Sequence, residues 1–339
     1  MDKDLQSLFN NLKESKQESL HRNSKVLLVD SLNTFIRSFV MIRHLNPQGN
    51  HVGGLTGYLK SLGHAIRLIE PTRVILVFDG HGGSTNKRYL YPEYKANRKI
   101  NKISNWDIFD NQEEESESIT NQLVRLVSYL KCLPVDLLVI DKIEADDVIG
   151  YLANQLPEKV VIYSSDKDYL QLVSDRVTVF SPIKKKFYTP KAIKEEFGIP
   201  PQNFLTQKIL LGDVSDNVPG VKGIGLKTLL KMYPQLKKEE PITLENILED
   251  SKGKEGKHGN VLNFSTQLGI NRLLMDLSNP NIPSQDVEVI GELIETPNNH
   301  LDTMAFLKLY NEDNLGNSIN NPQVWLYNNF NNLKVFKKK

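Results

Sequence analysis

Short runs of consecutive apolar residues punctuate the first half of the chain: KVLLVD (25–30), RVILVFD (73–79), DLLVI (136–140), KVVIYSSD (159–166) and RVTVF (176–180). Runs of this length without polar alternation predict strands buried on both faces. Between them, LTGYLKSLGHAIRLI (55–69) and ITNQLVRLVSYLKCL (119–133) place apolar residues three and four apart, which predicts amphipathic helices. The alternation predicts an α/β core with a mainly parallel, twisted sheet flanked by helices. Pro, Gly and Asn mark turns at 46–54 and 80–86.

Beyond about residue 189 the strand pattern fades. PKAIKEEF, NFLTQKILLG and KTLLKMY predict short helices joined by Gly/Pro turns, and SKGKEGKHGN (251–260) reads as a Lys/Gly-rich loop. The chain therefore divides into a polar N-terminal tail (1–24), an α/β core (25–189) and a helical region (190–339).

With 339 residues the chain can bury a large core. No apolar run approaches the roughly 20 residues needed to span a bilayer, and the polar first 24 residues do not resemble a signal peptide. One cysteine, Cys132, excludes an internal disulfide framework and argues against a cysteine zinc site. A reducing, cytoplasmic compartment is expected. The net charge of +1 hides unlike regions: KRYLYPEYKANRKINK (87–102) is strongly basic, and NWDIFDNQEEESES (105–118) has acids and no base.

The acids change the picture. VLLVD ends in Asp30 and VILVFD in Asp79; DLLVI is soon followed by Glu144, Asp146 and Asp147; the fourth run leads into SSDKDYLQL, with Asp166 and Asp168. Ligands of open parallel sheets bind outside the carboxyl ends of the strands, so these acids are expected along one sheet edge. Each alone is explained as a helix cap or a first-turn acid. Together they would repel one another unless a cation intervened. Carboxylate ligands point to magnesium or manganese rather than zinc. LLGDVSDNVPG adds Asp213 and Asp216, three apart at a helix end, as further candidate ligands.

RYLYPEYKANR supplies Arg88, Tyr91, Tyr94, Lys95 and Arg98. Bases beside a metal site can neutralise charge on a phosphoryl group, and interleaved aromatics suit stacking on unpaired nucleotides; a solvated helix face explains the same spacing. In PGVKGIGLKTLLKMY, Gly220, Gly223 and Gly225 allow a tight turn before a helix, with Lys222 and Lys227 nearby. Such a turn can hold phosphate without reading sequence. It lacks the spacing of a P-loop and follows a helix rather than a strand.

In order, spacing and context, VLLVD, VFDG, PEYKANR, EADD, SSDKDYLQL and GDVSDNVPGVKGIG resemble the 5′-nuclease (flap endonuclease) family, over about residues 25–235. With FSPIKKKF after the last strand, the chain looks most like the free-standing phage members known as ribonuclease H. The resemblance implies a PIN-like core, a helical arch at about 81–120 and a helix–hairpin–helix element at about 205–233. It implies a first metal held by Asp30, Asp79, Glu144 and Asp146 with Asp147 close by. A second would be held by Asp166, Asp168, Asp213 and Asp216. Lys95 and Arg98 match the family's basic pair at the scissile phosphate, and the Gly220–Gly225 turn matches its duplex grip, where a potassium ion is often held. The implied activity is magnesium-dependent 5′→3′ exonuclease and flap cleavage, with ribonuclease H activity removing RNA primers.

The implied substrate is branched, nicked or RNA-primed duplex DNA, acted on by a monomer; a single-strand-binding protein or sliding clamp is a candidate partner. The acidic stretch Glu113 to Glu115 departs from the positive lining expected of an arch. QVWLYNNF (323–330) resembles a clamp-binding pattern with Asn329 in place of one aromatic, and an amphipathic terminal helix explains it equally. The competing readings are a phosphatase on an α/β sheet, which leaves the Gly turn idle, and a non-catalytic DNA-binding protein, which needs no intact set of acids.

Overall fold

The computed structural model describes residues 24–97 and 104–335. Six strands, β1 (Lys25–Asp30), β2 (Arg73–Asp79), β3 (Asp136–Ile140), β4 (Lys159–Tyr163), β5 (Val177–Ser181) and β6 (Lys186–Tyr188), form one sheet in the order β3-β2-β1-β4-β5-β6. All neighbours are parallel except β5 and β6. The order of connection reverses between β1 and β4, which opens a crevice at their carboxyl ends, where such sheets bind ligands.

The helices among the described residues are α1 (Ser31–Met41), α2 (Gly53–Ile69), α3 (Thr85–Leu90), α4 (Gln112–Leu130) and α5 (Ala145–Gln155) within the sheet region. They continue as α6 (Pro190–Phe197), α7 (Phe204–Leu211), α8 (Leu226–Met232), α9 (Leu244–Ser251), α10 (Lys257–Asn263), α11 (Ser265–Met275), α12 (Ser284–Glu295), α13 (Thr303–Glu312) and α14 (Pro322–Phe330). None is long and apolar enough to cross a membrane.

Because successive strand residues face opposite ways, the sheet feeds two cores. Val26, Leu28, Ile75 and Val77 pack with Ile149, Leu152, Ile193, Phe204, Leu229 and Ile247 on one face. Leu27, Val29, Leu76 and Phe78 pack with Phe35, Tyr58, Leu126, Phe306, Leu326 and Phe330 on the other. Both cores draw on residues before and after position 189, so that position marks a change of motif rather than a gap in packing.

One local expectation is corrected, one strand is added, and the terminal helix reading of 323–330 holds. The loop proposed for 251–260 is shorter, since α9 runs through Ser251 and α10 begins at Lys257. β6 was not anticipated; three residues carry no periodic signal, and pairing with β5 across a turn makes the strand. The clamp-like stretch is α14: Leu326 and Phe330 are buried, and Trp325 packs on Gly63, where a Cβ would sit 2.8 Å from Cζ2 of the ring. Its apolar anchors are core residues and are not presented to a partner. The tail expected at 1–24 lies, up to residue 23, outside the described residues, as do 336–339.

Candidate functional site

The first cluster forms where β1, β2 and α5 meet. Asp30 ends β1 and caps α1, its Oδ1 accepting from the Asn33 amide at 3.4 Å, while its Oδ2 accepts from Ser164 Oγ at 2.9 Å across the crevice. Asp79 ends β2, and its Oδ1 accepts from the Ala145 amide at 2.9 Å. It thereby caps α5, whose own N-cap residue, Glu144, makes no side-chain cap bond. The cap that explains a single strand-end acid thus brings two segments together. Oxygens of Glu144, Asp146 and Asp147 lie within 4.8 Å of one another.

Glu144 is buried and is the hub of this cluster. Its Oε2 lies 2.9 Å from Lys87 Nζ and accepts from Tyr94 Oη at 2.9 Å, while Oε1 accepts from Ser84 Oγ at 2.6 Å and pairs with Lys95 Nζ. Lys87 also reaches Asp147 Oδ2 at 3.0 Å and Asp146 Oδ1 at 3.4 Å. Burial disfavours both charges, yet Lys87 and Lys95 hold the Glu144 carboxyl well below its usual range, and the three carboxylates hold Lys87 firmly protonated. Burial pushes Asp30 up to about 7 despite the Ser164 hydrogen bond. Burial, opposed by Lys87 and reinforced by Asp146, raises Asp147 to about 7.

The second cluster lies beyond β4. Asp166 Oδ1 accepts from the Asp168 amide at 2.8 Å. Asp168 pairs with Lys208 of α7, and Lys208 Nζ also lies 3.1 Å from Asp213 Oδ2. Burial raises Asp168 to about 6, against the pull of Lys208 and with added repulsion from Asp166. Asp213 Oδ1 accepts from Ser215 N at 2.8 Å, Ser215 Oγ at 2.6 Å and Asp216 N at 3.3 Å, closing a turn. Asp216 reaches the first cluster through Tyr94, whose hydroxyl lies 3.2 Å from its Oδ2. All nine acids singled out in the sequence therefore lie on or beside one edge of the sheet.

Lys87 and Lys208 were not singled out in the sequence. Lys87 sits in a basic run that reads as a solvated face; a signal for Lys208 existed, as the lone charge in the apolar helix FLTQKILL. The two ammoniums show that each carboxylate cluster favours cations, and the donors are all hard oxygens, the set suited to divalent magnesium or manganese.

Of the residues expected to meet nucleic acid, Arg88, Lys222, Gly223, Gly225 and Lys227 are exposed, Tyr91 and Gly220 half-buried. Tyr94 does not fit stacking: it is 2% exposed, packed with Val218, Leu274 and Met275. Its hydroxyl is committed to Glu144 and Asp216, and burial closes its ring to a nucleotide. Arg98 lies outside the described residues. The turn after α7 needs glycine: a Cβ on Gly220 would fall 2.0 Å from the Leu211 carbonyl oxygen, and Gly223 has φ +79°.

The acidic stretch also finds its place. Glu113, Glu114 and Glu115 form the first turn of α4, where acids complement the helix dipole. Glu115 Oε1 accepts from the Ser104 and Asn105 amides at 2.9 and 2.8 Å. These acids build the return leg of the segment between β2 and β3.

A family model for the 5′-3′ exonuclease N-terminal, resolvase-like domain matches residues 25–198. The chain is similar to a 5′-3′ exonuclease of Bacillus subtilis, 32% identical over 246 residues that cover 69% of this chain and 78% of that protein. It is also similar to DNA polymerase I of the same organism, 32% identical over 69% of this chain but only 26% of the polymerase. Among solved structures, a bacteriophage T5 flap endonuclease in complex with DNA and metal ions superposes with a TM-score of 0.63 at 21% identity, covering 80% of this chain and 100% of that one. On the match of both domain and relatives, the chain belongs to the 5′-3′ exonuclease family.

Proposed function

We propose that the protein is a divalent-metal-dependent, structure-specific 5′ nuclease that hydrolyses phosphodiesters at the 5′ ends and flaps of branched, nicked or RNA-primed duplexes. The observation that carries this reading is the convergence of nine acids from separate segments on one sheet edge, beside Lys95 and a glycine turn. Neither competing reading uses all three.

Asp30, Asp79, Glu144, Asp146 and Asp147 would hold one magnesium ion, and Asp166, Asp168, Asp213 and Asp216 a second, with manganese as a substitute. Bound there, divalent ions supply Lewis-acid polarisation of the phosphodiester and an acidified water. Lys95 would place its ammonium against a non-bridging phosphate oxygen, where negative charge grows in the transition state. Arg98 is assigned the same task from its place in PEYKANR. Lys222 and Lys227, beside the exposed Gly223–Gly225 turn, would neutralise duplex phosphates without reading bases. A potassium ion at this turn, and ribonuclease H activity on RNA primers, belong to the same reading.

Cleavage of a 5′-flap duplex labelled at its 3′ end tests it, with magnesium and with chelator, for wild type and Asp79→Asn. Magnesium-dependent cuts near the junction or stepwise from the 5′ end, lost in the variant, are expected. Tight binding without cleavage under magnesium or manganese would replace the nuclease with a binding protein.

A further inference from the structure

The segment carrying Lys95 is held by the turn that precedes the glycine hairpin. The Lys95 amide donates to the Asp216 carbonyl at 2.8 Å, Asn97 Nδ2 to the Val214 carbonyl at 3.0 Å, and Asn217 Nδ2 to the Glu93 carbonyl at 2.8 Å. Tyr94 adds its hydroxyl bond to Asp216, and its ring packs on Val218. Residues 93–97 and 213–218 thus form a clasp with hydrogen bonds running in both directions.

Two of its members adopt left-handed backbone: Lys95 at φ +55° and Asn217 at φ +59°. Asparagine enters this region readily, and lysine does so at a free-energy cost. A strained conformation persists where its surroundings over-determine it. At Lys95 those surroundings are the clasp: from a left-handed backbone the ammonium pairs with Glu144 while the amide donates to the Asp216 carbonyl. Asn217 is joined to Gly220 by only Val218 and Pro219, so the turn proposed to hold duplex and the lysine proposed to act on phosphate are tied at one point.

We infer that Asn217 and Asn97 are positioning residues that fix the left-handed backbone of Lys95, so that its ammonium is in register with the metal-binding edge. This rests on the nuclease reading for its consequence in catalysis, and not for the clasp itself. Both side chains donate to backbone carbonyls of the clasp and act through Lys95.

The test uses the full chain and two variants that open the clasp from opposite sides. Asn217→Gly keeps a residue at home in left-handed backbone and removes only the amide; Asn97→Ala removes the bond to Val214. Residue-resolved hydrogen exchange should show the Lys95 amide exchanging about 10-fold faster or more in both variants, with Ile75 and Leu76 unchanged. In single-turnover cleavage of a 5′-flap duplex with magnesium, the rate constant should fall about 10- to 100-fold with duplex affinity unchanged. In a Lys95→Ala background neither substitution should lower the rate further. Unchanged Lys95 exchange in both variants overturns the inference, as does an equal fall in the Lys95→Ala background or a loss confined to affinity. If wild type fails to cleave, the nuclease reading and the catalytic consequence fall together, while the exchange result still decides whether the clasp holds Lys95.

Discussion

Lys87 Nζ lies 2.9 Å from Glu144 Oε2, and both side chains are almost fully withdrawn from water, at 8% and 4% exposure. Removing one partner of a buried pair typically costs about 3–5 kcal/mol where the other is left uncompensated, and less here because Lys95 still pairs with Glu144. Lys87→Met leaves Glu144, Asp146 and Asp147 without this ammonium. In chelator its melting temperature should fall well below that of wild type. Added magnesium should stabilise the variant more than wild type, because a cation then replaces the lost one. Thermal melts of both proteins in chelator and in magnesium check this.

Asp79→Asn separates capping from metal binding. The asparagine oxygen can still accept from the Ala145 amide, so melting in chelator should change little. Cleavage of a flap duplex in magnesium should fall about 100-fold or more. A large loss of stability with cleavage retained would assign Asp79 to the cap alone.

The acids predict a pH dependence with a definite sign. Asp30 and Asp147 are raised to about 7 and Asp168 to about 6. Between about pH 4 and 7 these three groups therefore hold more protons in the folded, metal-free protein than in the unfolded chain. Their contribution to stability is greatest at the acidic end of that window and is lost as pH rises through it, opposed by His51, whose pKa burial lowers. Metal binding must displace these protons, so magnesium affinity should rise from pH 6 to 8. Calorimetric titration in two buffers of different ionisation enthalpy should show proton release at pH 6.5 that shrinks by pH 8.5.

Tyr94→Phe removes a buried hydroxyl bonded to two carboxylates and leaves the ring in place. A loss of about 1–3 kcal/mol is expected from denaturant unfolding. Affinity for single-stranded DNA should not change, since the ring is enclosed; a drop measured by fluorescence anisotropy would return Tyr94 to the stacking role.

Lys222 and Lys227 are exposed beside the glycine turn. If each meets a duplex phosphate, Lys222→Ala and Lys227→Ala should each reduce the slope of log affinity against log salt by about 0.9. Salt titrations of duplex binding measure this, and an unchanged slope would place the duplex elsewhere.

The strands were legible because VLLV, VILVF and VVIY have few alternatives to a doubly covered sheet. The acids were legible because chain order told which strand ends they follow, and a parallel sheet gathers those ends. Lys87, Lys208 and the enclosure of Tyr94 were not, since each depends on which distant segment packs against it. Nothing in YPEYK distinguishes a tyrosine facing solvent from one sealed by Val218 and Met275. The helical end of the chain was legible as helices but not as core, because its apolar residues match surfaces far away in sequence.

The packing of α14 bears on how the chain is made. Phe306, Leu326 and Phe330 share a core with Leu27 and Val29 of the central strand. Arg73 at the start of β2 pairs with Asp136 of β3 at 2.6 Å and donates to the carbonyls of Leu293 and Ile294 at the end of α12. Phe306, Leu326 and Phe330 follow the central strand in the chain by more than 270 residues, so they leave the ribosome long after it. Until then that face of the sheet is covered only by side chains of earlier helices, such as Phe35, Tyr58 and Leu126. A stop codon placed just after the last recognisable motif would release a polypeptide that carries every acid of the site and lacks Phe306, Leu326 and Phe330 from the core behind it.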